Sequence, residues 1–167
     1  MQSQWVRNIS CSVFLLMVML ASVSCNGSEQ QEELPPVEFT GYNLETSSTA
    51  NRDLFKAGVW LTDQGKLVNA GIYYTRKRNQ TFQYGFDTAI GYLTPVYRFW
   101  PFAMIGVKIG SGTVITAFHA EAYPKIGVAV PFFDQLVIYA DYQYNYSTQG
   151  RRHDYGAASI GLVWSVE

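Results

Sequence analysis

From Val37 onward the chain alternates between apolar side chains and polar or small ones. That period of two belongs to strands, whose neighbouring side chains point to opposite faces, and not to helices with a period near 3.6. The alternation predicts strands near 37–46, 54–62, 67–76, 81–93, 97–110, 115–130, 135–147 and 154–166. Turn chemistry separates them: Asp63-Gln64-Gly65-Lys66, Thr94-Pro95, Gly110-Ser111-Gly112, Pro131-Phe132-Phe133-Asp134 and Ser147-Thr148-Gln149-Gly150. Each strand with its connection takes roughly 16 residues, enough for the ~9–11 residues of a tilted membrane strand and a short turn.

The two faces of each strand differ in kind. The sixth strand carries Phe118, Ala120, Ala122, Ile126, Val128 and Val130 on one side, against His119, Glu121, Tyr123, Lys125, Gly127 and Ala129. The fifth sets Ala103, Ile105, Val107 and Ile109 against Met104, Gly106, Lys108 and Gly110. A water-facing surface would be dense in Lys, Glu and Thr, whereas this polar face is mostly small residues with isolated charges. An eight-stranded barrel has room inside for little more than its side chains, and small residues beside a few long ones suit that space. Aromatics toward the strand ends of the apolar face, including alternate tyrosines in Tyr142-Gln143-Tyr144-Asn145-Tyr146, suit interfacial girdles. The expected fold is therefore all-β: an eight-stranded antiparallel up-and-down transmembrane β-barrel with a polar interior, over 37–167.

Composition closes off other classes. Charged residues make up 15%, below the usual ~25%, and aromatics 16%. A disordered chain would show the reverse. The net charge of −1 gives no basic footprint for nucleic acid. No apolar run reaches the ~18 residues of a helical span.

The first 24 residues read as a secretory signal peptide. Arg7 supplies the positive start, Ser12 to Ala21 an apolar run too short to cross a bilayer, and Ser22, Val23 and Ser24 the small-residue end. Cys25 sits where a lipoprotein carries its acylated cysteine, although Ser22 occupies a position usually held by leucine. Cys11 leaves with the signal, so no internal disulfide is expected. Residues 25–36 are polar and acidic, end in Pro35-Pro36, and read as a flexible leader.

The candidate interior charge network is Lys56, Asp87, Lys108, His119, Glu121, Lys125 and Asp141, with three lysines balancing three carboxylates. A hairpin centred on Phe133 predicts Lys125 directly opposite Asp141, in a salt bridge. Strand one stays without an orientation, because Glu38 and Glu45 fall on opposite faces. Outer loops at 46–53, 77–81, 110–114 and 147–154 gather Arg52, Lys77, Arg78, Arg151 and Arg152, with Arg76 beside them, half of the chain's twelve Lys and Arg. Guanidinium groups match phosphate geometry, so Arg76, Lys77, Arg78, Arg151 and Arg152 are candidate lipopolysaccharide contacts. Ordinary solvated loop charge is the plain alternative. His119 and Glu121 share a face two residues apart, a spacing open to an acid–base pair, but no serine stands at a readable triad spacing. Metal-ligand spacing is absent, and His153, in a loop between Arg152 and Asp154, reads as solvent-exposed. Gly110-Ser111-Gly112 reads as a tight turn, since it lacks the context of a phosphate-binding loop.

Over 37–167 this pattern resembles the small eight-stranded outer-membrane barrels of Gram-negative bacteria, as in the OmpA membrane domain and the OmpX/Ail group. The resemblance implies the outer membrane as location, outer-membrane lipid as surroundings and insertion by the outer-membrane assembly machinery. That machinery favours a terminal aromatic; here Ile160, Leu162 and Trp164 alternate before Ser165-Val166-Glu167. Lipid A palmitoyltransferase and lipid A deacylase share the barrel size. The deacylase's His-x-Ser pair is His119-Ala120-Glu121 here, and no Asp-Ser pair like the transferase's is present. The leading expectation is a non-enzymatic integral barrel without a cofactor, structural or surface-interacting. Two others remain: a soluble or lipid-anchored periplasmic barrel holding a small apolar ligand, and a lipid A-modifying enzyme using His119 with Glu121.

Overall fold

The computed structural model describes residues 37–49, 51–77, 82–112, 118–148 and 154–166. Eight strands follow in chain order: β1 (Phe39–Ser48), β2 (Arg52–Asp63), β3 (Lys66–Lys77), β4 (Phe82–Leu93), β5 (Trp100–Gly112), β6 (His119–Phe133), β7 (Leu136–Ser147) and β8 (Tyr155–Ser165). Each pairs antiparallel with its chain neighbours, and β8 returns to β1 to close the barrel. Closure satisfies the backbone groups that an open sheet edge would leave bare. The ladder also sets the tilt. With Tyr123 set opposite Asn145 by the flanking pairs Ala122–Tyr146 and Lys125–Gln143, the ladder followed once round the wall leads from Tyr155 on β8 through Asn145, Tyr123, Gly106, Ala89, Asn69, Trp60 and Gly41 to Ser165, ten residues farther along the same strand. A stagger of that size inclines the strands by about 35–45° to the axis.

At the end carrying Phe39 and Ser165, the β2–β3 and β6–β7 turns are tight, two residues each. Gln64 (φ 49°) and Gly65 (φ 79°) are both left-handed, the two-residue hairpin loop whose twist matches its flanking strands. The connection between β4 and β5 is longer than Thr94-Pro95 suggested. Val96 and Phe99 exchange backbone bonds (2.7 and 3.0 Å) around a left-handed Tyr97, so β5 starts at Trp100 and not at 97.

Pro131 overturns the expected β6–β7 register. It stays within β6, at a bulge where the pairing shifts between Pro131 and Phe133, and the turn falls at Asp134 and Gln135. A bulge tolerates a residue that donates no ladder bond. Lys125 therefore pairs with Gln143, and Asp141 with Gly127.

β1 is oriented by closure: Asn43, Glu45 and Ser47 turn inward while Tyr42 and Leu44 face out. The interior divides along the axis. At the turn end Trp60, Leu67, Leu93, Phe102, Tyr139 and Val163 form an apolar core, joined by Phe39 and Trp100. Trp60 stacks on Tyr139 (centroids 4.6 Å apart) and meets Phe102 edge-on (5.4 Å). The expected polar interior does not extend to this end, where the strand ends beside the turns contribute aromatics and aliphatics inward. Above this core most inward residues are charged, amide-bearing, hydroxyl-bearing or phenolic, with Leu54 and Ala157 set among them. Glycine is required where an inward ring lies across the adjacent strand: a Cβ at Gly161 would collide with the Tyr139 ring, and one at Gly106 with Tyr123.

Candidate functional site

The loop-side half of the interior holds most of the chain's unusual chemistry. Lys56 on β2 ion-pairs with Asp87 on β4, and the Tyr123 hydroxyl donates to the same Asp87 oxygen at 2.8 Å. Lys125 lies between two carboxylates, 2.7 Å from Glu45 Oε2 and 3.1 Å from Asp141 Oδ2. The Tyr139 hydroxyl donates to Glu45 Oε2 (3.0 Å) and accepts from Asn43 Nδ2 (3.3 Å), tying β7 to β1 over the intervening β8. Lys108, only 1% exposed, donates to Asn145 Oδ1 at 2.9 Å with its ammonium 4.7 Å from the centre of the Tyr123 ring. A ring face supplies negative potential, so among the described residues Lys108 is held by an amide and a π-system rather than by a carboxylate within ion-pair distance.

Nearest the loops, Arg52 Nη1 meets Glu121 Oε1 (3.4 Å) and its guanidinium lies 4.1 Å from the centre of the Tyr155 ring, while the Tyr155 hydroxyl donates to Glu121 Oε2 (3.1 Å). His119 Nε2 is 2.8 Å from the Tyr73 hydroxyl. Thus Glu121 is committed to an arginine and a phenol, and the His119 nitrogen to a phenol. Among the described residues, no three His, Cys, Asp or Glu side chains gather in a way that could hold a metal ion.

Lys56, Asp87, Lys108, His119, Glu121, Lys125 and Asp141 are all buried and share one side of the wall. Lys125 does reach Asp141, but diagonally, across the register produced by the bulge. Two charged members escaped the sequence reading. Glu45 lay on the strand without an orientation, and Arg52 was placed among the loop cations. β1 and β2 extend to Ser48 and Arg52, leaving only three residues between them, and Arg52 turns toward Glu121. With these two, four cations face four carboxylates. None of the phenols Tyr73, Tyr123, Tyr139 and Tyr155 was assigned to the network, although Tyr123 stands on the polar face of the sixth strand in the sequence; their signal was tyrosine recurring on that face.

Of the candidate loop cations, Arg76 lies exposed at the loop-side end of β3, and Lys77 is the last residue of that strand. Arg78, Arg151, Arg152 and His153 lie outside the described residues, as do Cys25, the signal and the leader. Gly110-Ser111-Gly112 ends β5 rather than forming a turn.

Outside, the wall is apolar. Ile105 is 66% exposed and Phe86 73%, and Val107, Ile126, Ile138 and Ile160 also face outward. Among the described residues, outward strand positions carry charge only at Asp53, Asp63, Lys66 and Arg76, each at or next to a strand end.

A closed eight-stranded antiparallel barrel of this kind is similar in fold to transmembrane barrels. A structure reported under "De novo design of transmembrane beta-barrels" matches 80% of this chain and 99% of its own, at 12% identity and a TM-score of 0.54. OmpT, an outer membrane protein of Vibrio cholerae, matches less well. Its loop L8 deletion mutant gives 15% identity over 71% of this chain and 43% of its own at TM-score 0.35, and the in-vitro folded form gives 13%, 71% and 46% at 0.32. This chain spans under half of OmpT, and the assignment of fold rests on the designed barrel. No protein-family model matches the sequence, and no curated protein does.

Proposed function

We propose that the chain is an integral outer-membrane protein with a non-enzymatic, structural or surface-contact role, built on the plan of the OmpA membrane domain and the OmpX/Ail group. One observation carries this reading: the outer wall keeps its charges at the strand ends and is apolar between them, as a hydrocarbon layer demands. A soluble carrier would turn Ile105, Val107, Ile126 and Ile138 inward, and all four face out.

A signal peptide over 1–24 exports the chain, the leader 25–36 precedes the barrel, and the outer-membrane assembly machinery inserts it; acylation of Cys25 belongs to the same proposal. Ionic pairs at the loop side and packed aromatics at the turn side favour a plug over a pore, since eight strands leave little lumen. The surface role is contact with lipopolysaccharide phosphate through Arg76, Lys77, Arg78, Arg151 and Arg152 at the loop end.

Membrane fractionation combined with gel migration tests the reading. The protein should be recovered with outer membranes after a urea wash, and an unheated sample should migrate faster than a boiled one. Recovery as a monodisperse protein without detergent would overturn it. Incorporation of labelled palmitate, with Cys25→Ala as control, tests acylation.

A further inference from the structure

Among the described residues, the strand pairings of the wall run without a break everywhere except between β6 and β7. There the pairing passes from Ala122–Tyr146 to Lys125–Gln143 and omits Tyr123 and Pro124, in addition to the bulge at Pro131. The omission has a chemical cause. Thr148 N–H donates to the Ala120 carbonyl at 3.0 Å, which makes these two a hydrogen-bonded pair. Such pairs recur at every second residue of an antiparallel ladder, so Ala122–Tyr146 and then Pro124–Tyr144 follow in the same register. Proline has no N–H, and the Tyr144 carbonyl loses its ladder donor. On its other edge β6 pairs with β5 at every residue from His119 to Ala129, Pro124 included.

What the ladder lacks at this seam, β6 makes up from inside. Its inward side chains reach five other strands: His119 meets Tyr73 on β3, Glu121 meets Arg52 on β2 and Tyr155 on β8, Tyr123 donates to Asp87 on β4, and Lys125 donates to Glu45 on β1. Across the seam itself Lys125 lies 3.1 Å from Asp141. Outside, β6 presents Ala120, Ala122 and Pro124 beside Tyr144 and Tyr146 of β7, whose ring centroids are 4.9 Å apart. Side chains that small give the tyrosines little to lock against.

We propose that the β6–β7 seam at Pro124 is a side opening of the barrel, latched from within by the cross-barrel bonds of β6. It joins the polar interior, where Gln143 and Asn145 flank the gap, to the loop-side part of the apolar wall. Water from that interior supplies the donor that Tyr144 lacks. The break in the ladder stands whatever surrounds the wall. The need for a latch rests on the outer-membrane reading, because hydrocarbon offers a bare carbonyl no partner.

Hydrogen exchange at single amides, read by NMR on the protein extracted in mild detergent, tests the opening. The Tyr144 and Tyr146 amides point across the seam, and those of Gly106 and Lys108 point across the β5–β6 ladder at the same height. The first two should exchange about tenfold faster than the second two. Pro124→Ala supplies the missing N–H and should bring the two sets together; Pro124→Gly, which also carries an N–H, replaces it if that variant forms no barrel. Tyr123→Phe removes one latch bond, keeps the ring, and should speed exchange at Tyr144 and Tyr146 by about a further threefold while Gly106 and Lys108 hold. Heat-modifiable migration shows which variants have formed the barrel. Equal rates at the two ladders in the unsubstituted protein overturn the proposal. Fast exchange that persists once the N–H is restored also overturns it, since it would then belong to fraying at the loop end, and Tyr123→Phe loosening both ladders alike removes the latch. Purification without detergent would sink the membrane reading and leave the comparison of the two ladders in force.

Discussion

The two halves of the barrel interior solve one packing problem by opposite means. Toward the turns, Trp60, Phe102, Tyr139, Leu67 and Val163 fill the lumen with rings and aliphatic groups. Toward the loops, lysines, an arginine and carboxylates fill it with ion pairs braced by phenols. The apolar half is tolerant in kind, since another hydrophobe of similar volume costs little. The charged half is intolerant, because each ion depends on a named partner and a lone buried charge is far worse than none.

The largest expected effect is at Lys125. Lys125→Ala leaves Glu45 and Asp141 facing each other unneutralised, and should cost about 3–5 kcal/mol in urea unfolding followed by tryptophan fluorescence in lipid. A loss below ~1 kcal/mol would place those carboxylates in contact with water and break the contrast.

Trp60→Ala removes the centre of the aromatic half and should cost about 3–4 kcal/mol by the same measurement, whereas Trp60→Phe should recover most of it. That recovery is the sharper result, since no comparable conservative rescue exists for Lys125.

A double substitution separates the halves more cleanly. Asp87→Leu alone strands Lys56 and should destabilise by about 3 kcal/mol, while Lys56→Met with Asp87→Leu should return to within ~1 kcal/mol of the parent. Failure of the pair to recover would mean that Tyr123, which also donates to Asp87, carries the larger share. The smallest effect belongs to His119→Phe, which removes the bond to Tyr73 near the loops and should cost about 1 kcal/mol.

The sequence showed most of this fold wherever two faces of a strand contrast. β5, β6 and β7 could be sided because Ile, Val and Ala alternate there with Lys, Glu, Asp and Gly. β1 could not, because its outward Thr40, Thr46 and Ser48 are nearly as polar as its inward Asn43 and Ser47. Only ring closure decides that Glu45 points in. Register was off by two residues at β6–β7 because Pro131 has the chemistry of a turn, and nothing local marks it as a bulge. Arg52 was misplaced for a related reason: loop length follows from pairing, and pairing is not visible in a single strand. The division of the interior was legible in principle, as Trp60, Leu67, Leu93, Phe102 and Val137 all sit near the tight turns, but it needed the register to align them.

The contact between Lys125 and Glu45 bears on how the ring finds its proper closure. A two-residue slip between the first and last strands would leave every greasy group outside, so alternation by itself cannot forbid it. In such a slipped ring Lys125 would keep Asp141 but confront Asn43 or Ser47 in place of Glu45. One ammonium reaching across the cylinder to the opening strand thus acts as a proofreader of circumference, rewarding a single closure among several that hydrocarbon would accept alike.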